Sequence, residues 1–157
     1  MSLNPQILNK ILRFCAYRER SEQEVKTKLK NLGCFDTDLQ EYLTYLIDNN
    51  YLNQQRFIES FVRSKTNSSK WGKTKVKHAL RFKGISDENI INEAFETVDP
   101  ELYHENLQKI LQKKWLELER RNDPKIKEKV IRFALSRGYS YEDILQILPK
   151  QGFSSKS

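Results

Sequence analysis

Between Ser60 and Ser86 the chain contains no aspartate or glutamate, although charged residues make up 31% of the whole. The same stretch carries Arg63, Lys65, Lys70, Lys73, Lys75, Lys77, Arg81 and Lys83. A run of cations of this kind attracts groups rich in phosphate or carboxylate. Lys73, Lys77 and Arg81 are spaced by four, so in a helix they form a stripe along one face. Lys70 and Trp71 stand just ahead of that helix, whose N-terminal dipole is positive too. A basic patch with a nearby aromatic is the footprint of phosphate contact. No set of base-reading side chains accompanies it, which points to binding without sequence readout. The plain alternative is a solvated face, left to bear its own repulsion.

Other chemistries find little support. Gly72-Lys73-Thr74 imitates the end of a phosphate-binding loop, but the leading glycine position is Asn67 and no strand precedes it, so an ATPase is rejected. His78 and His104 are the only histidines. Neither has cysteine or acidic company at metal-ligand spacing, so no metal and no cofactor are expected. Cys15 and Cys34 form no C-x-x-C pair. Cys15 lies in the apolar run Leu12-Arg13-Phe14-Cys15-Ala16 and reads as a small buried thiol. Such cysteines suggest a reducing, cytoplasmic setting. Trp71 and Trp115 read as packing residues rather than base-stacking platforms. No nucleophile, base or carboxylate pair stands out, so a binding protein is favoured over an enzyme. No apolar run approaches the roughly 18 residues a membrane span needs, and the N-terminus lacks the order of a secretory signal.

The elements that must hold this basic segment are set by a repeat. Val25–Leu29–Gly33, Val76–Leu80–Gly84 and Val130–Ala134–Gly138 share one spacing, and six residues past each glycine stands Leu39, Ile90 or Ile144. Recurrence at about fifty residues means one supersecondary unit used three times. A lone unit of that size is marginally stable, so stacking into an elongated array is expected. The expected modules are 1–52, 53–99 and 100–150, with a flexible tail over 151–157. The first is electrically neutral, the second carries +3 and the third +4, within a total of +7.

Helical periodicity dominates and no stretch alternates convincingly with period two, so the expected class is all-α, each module a helix-turn-helix-like triplet. Ile7, Leu8, Ile11, Leu12 and Cys15 mark the first apolar face. Ser21-Glu22-Gln23-Glu24 is a capping box. Gly33, Gly84 and Gly138 end the second helix of each module. Asp36 or Thr37 opens a helix with Leu39, Tyr42, Leu43, Leu46 and Ile47 facing inward. Phe57, Ile58, Phe61 and Val62 line the next. Asp99-Pro100 marks a boundary, and Asn122-Asp123-Pro124 reads as a stop followed by a proline-started helix. Ser140 caps a last short helix with Ile144, Leu145 and Leu148, stopped by Pro149.

Tyr51-Leu52-Asn53-Gln54-Gln55-Arg56-Phe57, followed by Phe61-Val62-Arg63, resembles the central signature of the RecX regulatory proteins. So does Gly72-Lys73-Thr74-Lys75-Val76, leading through Ala79-Leu80-Arg81 to Lys83-Gly84-Ile85. The resemblance implies three tandem three-helix repeats in a curved, extended shape. It implies a monomer that binds the RecA recombinase, lies along the RecA–DNA filament on single- or double-stranded DNA, and restrains recombinase and ATPase activity in repair and recombination. By position, Arg56 and Arg63 match basic places in that signature, and Lys75 and Arg81 fall on or beside others. Lys125, Lys127, Lys129 and Arg132 offer a secondary basic face. Two departures stand out. Asn53 and Gln54 replace acidic residues common in the family, although Asn53 can still cap. Lys70-Trp71-Gly72-Lys73 replaces a Gly-aromatic-Gly-Pro turn, which should loosen the turn and adds two charges. A nucleic-acid-binding tandem helix-turn-helix protein, independent of RecA, is the rival. It needs a base-reading recognition helix in each copy, for which the neutral first module is ill suited.

Overall fold

In the computed structural model, which describes residues 3–149 and 152–153, every element among the described residues is helical. The order is α1 (Pro5–Tyr17), α2 (Glu22–Asn31), a 3-10 turn (Asp36–Asp38), α3 (Leu39–Asp48), α4 (Gln54–Asn67), α5 (Lys73–Phe82), α6 (Glu88–Phe95), α7 (Pro100–Arg120), α8 (Ile126–Ser136) and α9 (Tyr141–Ile147). The chain divides into two compact units, Met1–Ser60 and Phe61–Ser157.

The first unit closes around Ile11, Cys15, Val25, Leu29, Tyr42, Leu43 and Leu46. These residues come from one face each of α1, α2 and α3, as a 3.6-residue period requires. The Tyr42 hydroxyl reaches the start of α1 and accepts from the Asn4 backbone N–H at 2.8 Å. The Ser21 capping box is complete: its hydroxyl accepts from the Glu24 N–H, and the Glu24 carboxylate accepts from the Ser21 N–H. Burial pushes the Cys15 thiol up to about 11, which keeps it protonated and unreactive at neutral pH.

Several expectations shift by a residue or two. The Asp36–Asp38 segment forms a 3-10 turn, so α3 starts only at Leu39. Pro124 lies in a turn, and α8 begins two residues later, at Ile126. The reason is local: the Asp123 carboxylate accepts from the Lys125 N–H at 2.8 Å and holds the chain in a turn past the proline. Ile47 and Leu145, counted among the apolar positions of their helices, are 50% and 43% exposed. Each follows a fully buried residue, Leu46 or Ile144, and one helical step rotates a side chain about 100° off the buried face.

The second unit has its core in Leu107, Ile110, Leu111, Leu118, Val130, Ala134, Tyr139 and Ile144, with Trp115 half-buried against it. Of the expected tail, residues 151 and 154–157 lie outside the described ones. Gly152 and Phe153 are described, and the Phe153 ring meets Trp115 edge-on at 6.3 Å.

What positions the basic segment is a joint inside this unit between the loop ahead of α5 and the turn after α8. The Gly72 N–H donates to the Arg137 carbonyl at 2.7 Å, and the Thr74 N–H to the Gly138 carbonyl at 3.0 Å. The Tyr139 hydroxyl donates to the Lys70 carbonyl at 2.7 Å. The buried Asn106 amide of α7 donates to the Thr66 carbonyl, left without a helical partner at the end of α4, at 2.9 Å. Lys70 takes φ 55, the left-handed conformation that a glycine would hold more easily. The turn is closed all the same, because these bonds secure it on both sides.

Two phenols sit in that joint, with ring centroids 5.3 Å apart. Burial pushes Tyr103 up to about 12, and burial together with the neighbouring Tyr103 raises Tyr139. An unfolded phenol titrates near 10. The unfolded chain therefore loses these protons first, and their contribution to stability is complete below about pH 10 and lost as pH rises through about 12. The urea midpoint is expected to fall between those limits. Tyr139→Phe is expected to flatten part of that fall, which a midpoint series from pH 8 to about pH 12 measures.

Candidate nucleic-acid interface

Six of the eight basic residues of the acid-free segment fall into two groups. Val76 and Leu80 are fully buried along α5. Helical spacing puts Lys73, Lys77 and Arg81 on one flank of that line, with Lys75 on the other side.

The Lys75 side is interleaved with aromatic rings. The Trp71 N–H donates to the Lys65 carbonyl at 2.9 Å, which seats the indole beside the last turn of α4. Lys65 Nζ and Lys75 Nζ then lie 4.8 Å and 4.6 Å from the same indole ring. Lys65 is also 5.5 Å, and Lys83 5.8 Å, from the Phe61 ring. Cation and ring alternate from Lys83 through Phe61, Lys65 and Trp71 to Lys75. Each contact contributes about 0.5–1 kcal/mol at an exposed site, which helps hold like charges together. Trp71 is half-buried, so it packs and at the same time braces two lysines.

On the other flank, Lys73 Nζ lies 5.8 Å from both Phe95 and Tyr103. Its backbone N–H donates to the Tyr103 hydroxyl at 2.9 Å. Arg81 pairs with Glu88 at 2.6 Å, both side chains well exposed, a pair of small worth. Lys77 and Arg63 have no carboxylate partner among the described residues.

Arg56 stands apart from both groups. In the first unit its guanidinium donates to Glu19 at 3.0 Å, to the Asn50 side chain at 2.9 Å and to the Asn50 carbonyl at 2.8 Å. It ties the start of α4 to two preceding loops, and Asn53 caps that start by accepting from the Arg56 N–H at 2.9 Å. On the third module, Lys129 is bonded to Asp123. That bond, with the Lys125 N–H, lowers the Asp123 carboxyl below its usual range. Lys125, Lys127 and Arg132 are exposed and have no carboxylate partner among the described residues.

Sequence reasoning missed a third basic group. The loop Ser68–Lys70, α7 and α8 enclose a cleft of about 480 Å³ lined by Lys70, Lys109, Lys113, Lys114 and Arg137. Among the described residues Glu117 is the one acid that lines it, already shared between Lys114 at 3.5 Å and Arg121 at 3.2 Å. The signal was present, since residues 106–116 also lack acids while holding three lysines. Only folding brings that short window beside Lys70.

His78 and His104 are exposed, and no cluster of three potential metal ligands occurs among the described residues. None of the described helices is long and apolar enough to cross a membrane.

Comparison with known proteins bears on the family and the helical modules. Models of the first, second and third three-helix domains of RecX match residues 8–46, 53–93 and 101–148. Regulatory protein RecX of Pasteurella multocida is 32% identical over 136 residues, covering 86% of this chain and 81% of that protein. The same-named protein of Clostridium tetani is 30% identical over 145 residues, covering 91% of this chain and 66% of its own length. That of Clostridium perfringens is 29% identical over 136 residues, and the chain spans 63% of its length. The crystal structure of RecX from Lactobacillus salivarius superposes with a TM-score of 0.77 at 28% identity, covering 90% of this chain and 92% of that one.

Proposed function

The chain belongs to the RecX family of regulatory proteins, and from that premise we propose that it binds the RecA recombinase on DNA and restrains recombination and ATP turnover. The observation that carries the proposal is the basic surface of residues 61–83. Lys65 and Lys75 lean on the Trp71 indole rather than on carboxylates, so their charge is left for a partner. A filament of DNA and protein offers phosphates for such cations. A chain contacting neighbouring subunits would hold them against the movement that accompanies ATP turnover.

Binding to bare duplex, to RecA alone and to the assembled filament tests the reading. The tightest binding is expected on the filament, together with slowed ATP hydrolysis. If about four cations touch phosphate, log affinity falls against log salt with a slope of roughly −3 to −4. A slope near zero would mean that the patch meets protein alone. Equal affinity for bare duplex and filament would favour the RecA-independent DNA-binding rival.

A further inference from the structure

We propose that the cleft between the Ser68–Lys70 loop, α7 and α8 is a second phosphate site, adjoining the first at Lys70, that grips consecutive backbone phosphates of a single nucleic-acid strand. It deepens the function proposed above by placing a strand on the third module, but its chemistry does not depend on RecA.

Three observations carry the proposal. The first is charge. Lys70, Lys109, Lys113, Lys114 and Arg137 converge on one cleft whose one acid among the described residues is already shared by two cations. Such a concentration of like charge repels itself until an anion enters. The second is an unpaired donor. Arg137 lines the cleft, and its buried Nε has no hydrogen-bond partner among the described residues, so the guanidinium charge is not neutralised from within the fold. The Arg137 guanidinium carbon lies 5.6 Å and Lys114 Nζ 4.9 Å from the Phe133 ring. The ring therefore fixes both heads at the cleft wall. A phosphate, with several acceptor oxygens, matches the guanidinium fork. The third is spacing. Lys109 and Lys113 stand one turn apart, about 6 Å along α7, and Lys70 faces them from the loop. A row of cations along a helix suits a chain of phosphates better than one carboxylate. The Ser68 and Ser69 side chains border the same cleft and can donate to phosphate oxygens.

The site is built by the joint already described. Tyr139 holds the Lys70 carbonyl, and the Gly72 N–H holds the Arg137 carbonyl. The loop lysine and the arginine that caps the end of α8 are thereby kept at opposite ends of one short hydrogen-bonded bridge.

The test uses the full chain without RecA and a fluorescent oligodeoxythymidylate, titrated from low to high salt. Lys109→Gln with Lys113→Gln is expected to reduce the magnitude of the log–log salt slope by about 1.4 and the affinity about 25-fold at 0.1 M salt, for two single-strand contacts. Lys70→Gly is a second variant whose fold is safe, because it relieves a left-handed lysine. It is expected to weaken binding about 5-fold while leaving the urea midpoint unchanged or higher. Unchanged slope and affinity in both variants would overturn the site. Displacement of the oligonucleotide by inorganic pyrophosphate as readily as by unlabelled strand would overturn the strand assignment in favour of a free-phosphate ligand. Loss of oligonucleotide binding with RecA inhibition intact would support the cleft and leave the filament reading standing. Oligonucleotide binding that follows the expected slopes in a chain with no effect on RecA would support the cleft and count against the filament reading alone.

Discussion

Gly138→Ala is expected to destabilise the second unit by about 3 kcal/mol or more, whereas the same change at Gly33 or Gly84 removes only about 1 kcal/mol. The three glycines occupy one position of the repeat and share one conformation, with φ of 93, 85 and 98. All three therefore pay the strain of a left-handed alanine, partly offset by a stiffer unfolded chain. Their surroundings differ. A Cβ at Gly33 or Gly84 meets nothing within 4 Å, while one at Gly138 lies 2.5 Å from both Lys75 Cβ and Lys75 N and 2.8 Å from the Gly72 carbonyl oxygen. Those atoms are backbone or fixed to it, so the joint itself must open. Gly72 separates the two causes. It has an ordinary negative φ of −81, but a Cβ there overlaps the Gly138 carbonyl and the Tyr139 nitrogen. Gly72→Ala is expected to destabilise through close approach alone, by about 1–3 kcal/mol. Urea midpoints of the four single variants rank the effects, with Gly33 and Gly84 least affected and Gly138 most. Equal losses at Gly33, Gly84 and Gly138 would mean that conformation alone decides and that the joint contributes nothing.

The repeat was legible because its marks are local. A helix that must turn back after ten residues asks for a left-handed residue, and a glycine every fifty or so reports it. The capping box at Ser21 and the N-cap at Ser140 are equally local, and each makes its bond. Exposure within a short apolar run was not legible. Leu46-Ile47 and Ile144-Leu145 look alike in hydropathy, and only the packing partner decides which of each pair turns inward. The basic segment was visible as composition, but its division was not. Glu19 reaches Arg56 across 37 residues, and no sequence window joins them. Lys70 and Lys109 border one cleft although each lies in a different module. Long-range pairing of this kind depends on how the modules meet, which hydrophobic spacing within one module does not encode.

Reversing Lys73, Lys77 and Arg81 to glutamate together is expected to weaken filament binding by roughly 500-fold at 0.1 M salt, for three duplex-type contacts. The salt slope should lose about 2.7 units. The three lie on the flank of α5 away from Lys75, and among the described residues only Arg81 of the three has a carboxylate partner, the exposed Glu88. Losing that pair alters stability little, and the change takes the net charge from +7 to +1, easing self-repulsion in the folded chain. Fold and binding can therefore be read independently: the urea midpoint should hold while affinity collapses. Lys65→Gln with Lys75→Gln probes the aromatic-braced group across the helix. If the filament touches both flanks, each variant lowers the slope and the losses add, because among the described residues the two groups rest on different partners. If the triple variant binds the filament as tightly as the parent chain, the stripe is a solvated face. Docking then belongs to the Trp71 group, and the helix flank that looked most ordered in sequence carries no contact at all.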